Sequence, residues 1–214
     1  MSFIVVFSLL FHINLQGNEL IIWNVGQGSM NTYIDEKSCL HFDMGGDFME
    51  YKKVIKKCSK KKNYLWISHG DKDHISFINF FKRHLDICET CELPTFVEEI
   101  YYNPKAKKRN NRSRVFLIEN RVLLPGDSEK KSEKTWSKKI KSKWFKVLIL
   151  AHHGSNSSSS MSFIKKIKNP HAMAIASARK SKYNHPHPKV LQRLRVQKKP
   201  VLSTEDWGNI IIQF

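Results

Sequence analysis

Short apolar stretches recur along this chain, separated by turns rich in glycine, proline and lysine. Leu20-Ile21-Ile22-Trp23, Met30 to Ile34, Cys39-Leu40-His41-Phe42, Tyr64-Leu65-Trp66-Ile67, Ile100-Tyr101-Tyr102, Val147 to Ala151 and Met173 to Ala176 favour branched and aromatic side chains and read as buried strands. Val115 to Ile118 and Arg121 to Leu124, parted by Glu119-Asn120, read as a hairpin. Val201 to Thr204 and Asn209 to Phe214 close the chain as strands around Asp206-Trp207-Gly208. Between the strands the apolar spacing becomes helical. Tyr51 to Lys62 carries Val54, Ile55 and Cys58, and Ile75 to Leu85 places Ile75, Ile78, Phe81 and Leu85 on one face. Lys130 to Lys146, Met161 to Ile167 and Val190 to Val196 read as further helices. Such alternation predicts an α/β layered sandwich.

Two segments qualify that picture. Phe3 to Ile13 is apolar, too short for a membrane-spanning helix, and lacks both a basic leader and a small-x-small cleavage site. Residues 1–17 are therefore either the apolar part of a secretion signal or a first strand, ahead of a single domain over 18–214. Export, to a secreted or periplasmic place rather than the cytoplasm, is favoured because Glu19 to Asn24 already supplies a first strand. No stable membrane insertion of the mature chain is expected. The second segment is Lys130 to Lys146, where basic residues alternate with Trp136 and Trp144. Those tryptophans could stack on a nucleic-acid strand, but packing of the helix onto a sheet is the favoured account.

Composition adds a partner. The 214 residues are 41% hydrophobic, too apolar for a disordered chain. Lys and Arg number 37 against 19 Asp and Glu, a formal charge of +18. That excess favours a polyanion, nucleic acid ahead of an acidic membrane, with general lysine decoration of the surface as the plainer alternative. Four cysteines leave the compartment open: the lone C-x-x-C of Cys88 and Cys91 is a weak zinc or redox signal, and with Cys39 and Cys58 it allows two disulfides on export or four thiols in the cytosol.

The candidate chemistry sits at strand ends. Ser68-His69-Gly70-Asp71-Lys72-Asp73-His74 follows the strand at Tyr64–Ile67 and holds four metal-binding side chains as H-x-D-x-D-H. Mixed imidazole and carboxylate donors suit zinc, manganese or iron. His69 and Asp71, two apart in an extended loop, could share one ion, and Asp73 and His74 a second. A charged helix cap with surface histidines is the bland alternative. Asp127 follows Pro125-Gly126 at another strand end. His152 and His153 follow Val147 to Ala151, where buried imidazoles need a ligand or a hydrogen bond. Tyr183-Asn184-His185-Pro186-His187-Pro188 is a proline-stiffened loop. A common strand-end position predicts that one edge of the sandwich gathers all four loops. The basic run 105–114, with Lys107, Lys108, Arg109, Arg112 and Arg114, is either a solvated loop or a phosphate-contacting rim. The rim is favoured, and Ser155 beside the histidines is assigned to it.

Asn24-Val25-Gly26-Gln27-Gly28, Phe42-Asp43-Met44-Gly45, His69 to His74, Pro125-Gly126-Asp127, His152-His153-Gly154-Ser155 and Tyr183-Asn184-His185-Pro186 occur in this order across residues 20 to 214. The set resembles the metallo-β-lactamase fold and, more narrowly, the nuclease-like C-terminal domain of ComEC-type DNA-uptake proteins. The resemblance implies an αββα sandwich of mixed sheets with helices on the outer faces. It also implies one or two divalent transition-metal ions, zinc or manganese, and a metal-activated hydroxide that attacks phosphodiesters. Asp127 would bridge the ions and His185 would hold the place of the last metal histidine. His152 and His153 would be ligands or would touch the scissile phosphate. This chain departs from the branch at Asn24 and Ser29, where Asp is usual, and at Ser76 and Phe77, where glycines are. It has no third-motif histidine between His84 and Asp127.

The expectation is a free-standing metal-dependent nuclease, DNA favoured. His69, Asp71, Asp73, His74, Asp127, His152 and His185 would bind metal, and Asp73, His152 and His153 would act in catalysis. Two other readings remain: a metallo-hydrolase of small esters, lactones or thioesters, and a nucleic-acid-binding protein with a degraded site.

Overall fold

A computed structural model describes residues 17–140 and 144–214; the run Phe3 to Ile13, and with it the secretion-signal reading, lies outside the described residues. The strands are β1 (Glu19–Ile22), β2 (Met30–Ile34), β3 (Ser38–Met44), β4 (Lys62–Trp66), β5 (Ile87–Cys88), β6 (Val97–Tyr101), β7 (Val115–Ile118), β8 (Val122–Leu124), β9 (Val147–Ile149), β10 (Met173–Ala176), β11 (Val201–Ser203) and β12 (Ile210–Gln213). The helices are α1 (Tyr51–Cys58), α2 (Lys72–Ile75), α3 (Ile78–Phe81), α4 (Lys130–Lys139), α5 (Met161–Ile164), α6 (Lys180–Tyr183), α7 (Pro188–Val196) and α8 (Thr204–Trp207).

The strands form two six-stranded sheets, in the orders β12-β1-β2-β3-β4-β5 and β11-β10-β9-β8-β7-β6. Both are mixed. β3, β4 and β5 run parallel, as do β8, β9, β10 and β11, while the remaining pairings are antiparallel. Three apolar layers follow from the two-residue alternation of strands. Leu20, Ile22, Leu40, Phe42 and Trp66 of one sheet meet Phe116, Ile118, Leu124, Ile149 and Ile175 of the other in the central layer. On the outer face of the first sheet, Ile21, Val25 and Met44 pack on Val54 and Cys58 of α1 and Phe81 of α3. On the outer face of the second, Val115, Leu123 and Leu148 pack on Trp136, Phe163 and Leu194 from α4, α5 and α7. This is the expected αββα sandwich. β2 and β3 are buried at every position because each is covered on both faces, and their polar members Asn31, Thr32, His41 and Asp43 are buried with the apolar ones.

Local details differ from the sequence pattern. The helix expected over Ile75 to Leu85 is split into α2 and α3, because Phe77 N donates to Met44 O at 2.9 Å and leaves the helical ladder. Of the two tryptophans expected to pack on the sheet, Trp136 is fully buried and donates Nε1 to Ser128 Oγ, whereas Trp144 lies past the end of α4 and is exposed. Cys39 pairs with Cys58, joining β3 to the end of α1, and Cys88 pairs with Cys91. No helix among the described residues is long and apolar enough to cross a membrane.

What matters for function is direction. β3, β4, β8, β9 and β10 all end at the same edge, since their C-terminal loops meet there. Asp43 lies in β3 near its end, Ser68 to His74 follow β4, Asp127 follows β8, His152 and His153 follow β9, and Ser177 follows β10. Ligand sites of α/β sheets form at carboxyl ends of parallel strands.

Candidate active site

Asp127 is the centre of the cluster and is buried. Its Oδ1 lies 3.2 Å from His74 Nε2 and 3.6 Å from His153 Nε2. Its Oδ2 lies 3.9 Å from His69 Nε2 and 3.7 Å from His152 Nε2. Each oxygen of one carboxylate thus faces its own pair of imidazoles. Asp71 Oδ2 is 3.4 Å from His69 Nε2, on the Oδ2 side, and Asp73 Oδ2 is 3.1 Å from His153 Nε2, on the Oδ1 side. His69 and Asp71 thus stand together on the Oδ2 side of Asp127.

Backbone geometry makes this convergence happen. Adjacent residues in an extended strand point to opposite sides. His152 and His153 instead follow β9 in a turn, both with left-handed φ (51° and 55°), and both rings reach Asp127. Asp127 is presented by Gly126, whose φ of 54° and close approach to Ser113 and Ser68 leave no room for a Cβ. Ser113 Oγ accepts from Asp127 N at 3.0 Å.

The far side of each ring is anchored. His74 Nδ1 is 2.7 Å from Asp43 Oδ2, and Asp43 also accepts from Ser68 N and Ser68 Oγ. His153 Nδ1 donates to Ser177 O at 2.9 Å. His152 Nδ1 is 3.1 Å from Ser157 Oγ, and its Nε2 is 3.1 Å from Asn110 Nδ2. His152 is thus held at both nitrogens, whereas His74 and His153 are fixed at Nδ1 and present Nε2 to the interior, an arrangement common around ligated histidines.

Carboxylates and imidazoles in the interior shift one another's titration. Burial opposes ionisation of Asp127, but the positive character of His153 and His74 holds its carboxyl far below the ordinary range. Burial likewise opposes charge on His74 and His153, yet Asp127 and the carboxylates beside them raise both imidazoles. Burial and then His74 push His69 down. For Asp73, burial is outweighed by His153 and His74, and its pKa is lowered. Meanwhile His69 Nε2, His74 Nε2 and His153 Nε2 are buried without a hydrogen-bond partner. They face carboxylate oxygens without the alignment that a hydrogen bond needs. Among the described residues, His69, His74 and Asp127 form one group whose ligand atoms lie within 4.8 Å of one another, and Asp73, His74 and His153 form another. Unpartnered imidazole nitrogens around carboxylates fit divalent transition metals.

Not every expected residue joins. His185 stands 6.1 Å ring to ring from His152 and, like Asp71 and His152, outside both groups; its Nδ1 is buried without a hydrogen-bond partner, and burial and the neighbouring His153 and His152 lower its pKa to about 4. The basic run borders the site but is largely engaged. Arg109 Nε lies 3.0 Å from Asp71 Oδ1, Lys108 pairs with Glu129, Arg114 pairs with Glu99, and Arg112 donates to Ala106 O. Lys107 is exposed. Ser155 Oγ bonds Ser157 Oγ behind His152. Sequence reasoning missed Asn110 and Ser177, whose types carry no signal, and it quoted Asp43 without assigning it a role.

This architecture is that of metallo-β-lactamase-fold proteins. YhfI of Bacillus subtilis superposes with a TM-score of 0.58 at 11% identity, covering 92% of this chain and 100% of its own. Igni18, a metallo-hydrolase of Ignicoccus hospitalis, superposes with a TM-score of 0.56 at 9% identity, over 92% and 99% of the two chains. A diphosphatase of the PhnP family gives 0.55 at 10% identity, over 92% and 98%. In sequence the chain resembles ComEC-type competence proteins. It is 34% identical over 110 residues to ComE operon protein 3 of Bacillus subtilis, 50% of this chain and 14% of that protein. It is 31% identical over 116 residues to Recombination protein 2 of Haemophilus influenzae, 53% of this chain and again 14% of the relative. The matched stretch thus spans about a seventh of the curated relatives' length. No family model matches the chain.

Proposed function

We propose that this protein is a metal-dependent hydrolase of phosphodiester bonds, acting on nucleic acid with DNA as the favoured substrate. One observation carries the reading: the two oxygens of Asp127 face two different sets of imidazoles and carboxylates. Asp127 would bridge a pair of divalent ions, zinc or manganese. His69, Asp71 and His152 would serve one, and Asp73, His74 and His153 the other. Bound ions would supply Lewis acidity and a nucleophile made from water at neutral pH.

The chain's own residues do the rest. Asp43 and Ser68 hold the His74 ring, and Ser177 holds that of His153, so that their Nε2 atoms face the interior. Arg109, paired with Asp71 at the mouth, would take a substrate phosphate. His185 borders His152 and lines the approach. Phosphodiesters fit better than neutral esters because the charge of +18 concentrates polyanions. The two disulfides support a working place outside the reducing cytosol.

The test is mutation with two readouts. Asp127→Asn, Asp73→Ala and His74→Ala should each lower DNA cleavage by on the order of 10³-fold while the chain stays folded. Elemental analysis of the reconstituted protein should show metal lost in Asp127→Asn. Cleavage that persists in all three variants and survives a chelator would reject the reading.

A further inference from the structure

A second surface, on the other side of the loops that support the site, has its own chemistry. A groove of about 870 Å³ opens beside α1, floored by Ile21, Trp23 and Ile211. Its walls include Phe48 and Trp207, which are 47% and 69% exposed. Large aromatic side chains standing in solvent around an apolar floor mark a binding surface more often than a neutral one. The other wall is basic. Lys53 and Lys56, three apart on α1, lie on one helix face with Lys57 next to them. Lys53 is paired with exposed Glu50 and Lys57 with Glu19, while Lys56 makes no ion pair among the described residues.

We propose that this groove is a stacking site for unpaired nucleobases, holding a single strand on its way to the Asp127 centre; the inference rests on the phosphodiesterase reading above. Two kinds of observation favour a nucleic-acid strand over other occupants. The first is complementarity: flat aromatic faces for bases and an unpaired lysine for the backbone match how single strands are gripped, whereas a duplex hides its base faces. The second is continuity with the site. Phe48 lies in the loop from Gly45 to Glu50 that joins β3 to α1, and Gly45 packs directly on the backbone of Asp73 and His74. The same loop carries Asp47, which holds Arg179 at 3.3 Å and Lys182 at 3.4 Å. Lys182 in turn sits over the Tyr183 ring, Tyr183 stacks on His185, and His185 borders His152. A continuous set of contacts therefore runs from the groove, through Asp47 and its two cations, to the aromatic rings beside the centre.

The experiment measures binding apart from turnover. A labelled oligothymidylate, a hairpin duplex and anionic phospholipid vesicles are titrated with the full chain. Hydrolysis of bis(p-nitrophenyl) phosphate with manganese reports the centre itself. The double variant Phe48→Ala with Trp207→Ala should bind the oligothymidylate about tenfold more weakly or worse, bind the duplex as before, and turn over the small diester unchanged. Lys56→Ala, on the exposed face of α1, should lower the salt slope of strand binding by about 0.7 and serves as the second variant should the double one lose its fold. Strand affinity untouched in the folded double variant and in Lys56→Ala overturns the proposal. So does an equal loss for strand and duplex, or a loss confined to the vesicles. A wild-type chain that grips the strand but hydrolyses neither the diester nor DNA would sink the hydrolase reading alone.

Discussion

His41, in the middle of β3, and His74, in α2 just past the end of β4, resolve burial in opposite ways. His41 is fully buried between Thr32 Oγ1 at 3.0 Å and Asn63 Oδ1 at 3.1 Å, with no carboxylate in its hydrogen-bond set. Burial lowers its pKa from 6.5 to about 4. Between those values the unfolded chain binds a proton that the folded chain refuses, so stability falls as pH drops through that window. The loss is up to about 3 kcal/mol. Urea midpoints measured from pH 7 to pH 4 should decline, and His41→Gln should flatten the decline; parallel curves for both proteins would contradict this account. His74 instead meets Asp43 and Asp127, which favour a positive charge beside it. His69, Asp71, Asp73 and His74 were readable because they are contiguous and of recognisable type. The role of Asp43 was not, since its bond to His74 spans 31 residues and exists only once β3 and β4 lie side by side.

At the level of elements, the loops at strand ends are held by close backbone contact. A Cβ on Gly45 would lie 2.5 Å from the carbonyl carbon of Asp73 and from His74 N, so Gly45→Ala must push the ligand loop away. The expected result is a loss of about 1–3 kcal/mol in stability, with weaker metal retention read by elemental analysis. Gly70→Ala meets open space in the same loop and should be silent, so equal behaviour of the two variants would count against the packing argument. Most strands were legible from apolar runs, because burial on both faces leaves that mark. The break between α2 and α3 was not, because a tertiary hydrogen bond to Met44 O causes it. Nor was the left-handed turn at His152 and His153, which brings both rings to Asp127 and gathers four imidazoles without a histidine between His84 and Asp127.

Across the whole molecule, charge acts through what remains unpaired. Of the basic run, Arg114 is tied to Glu99 and lies over Phe116 at 5.2 Å, whereas Lys107 is exposed with no ion pair among the described residues. Lys107→Ala should therefore lower the salt slope of single-strand binding by about 0.7 and leave the melting temperature alone. Arg114→Ala should lower the melting temperature and change the slope little. Anisotropy titrations across a salt series, with a melting curve for each variant, decide it; the reverse pattern would mean that the ion pairs at the rim open to take the substrate.

The sequence by itself determined the sandwich, the ligand types and the positive surface, because burial, side-chain chemistry and net charge are properties of residues and short spacings. Only the tertiary structure decided that Asp127 faces two sets of imidazoles, that His185 stands outside them, that most of the basic rim is paired, and that aromatic side chains line a groove beside α1. Those facts depend on distances between residues far apart in the chain, and such distances are set when parallel strands from two sheets end at one edge.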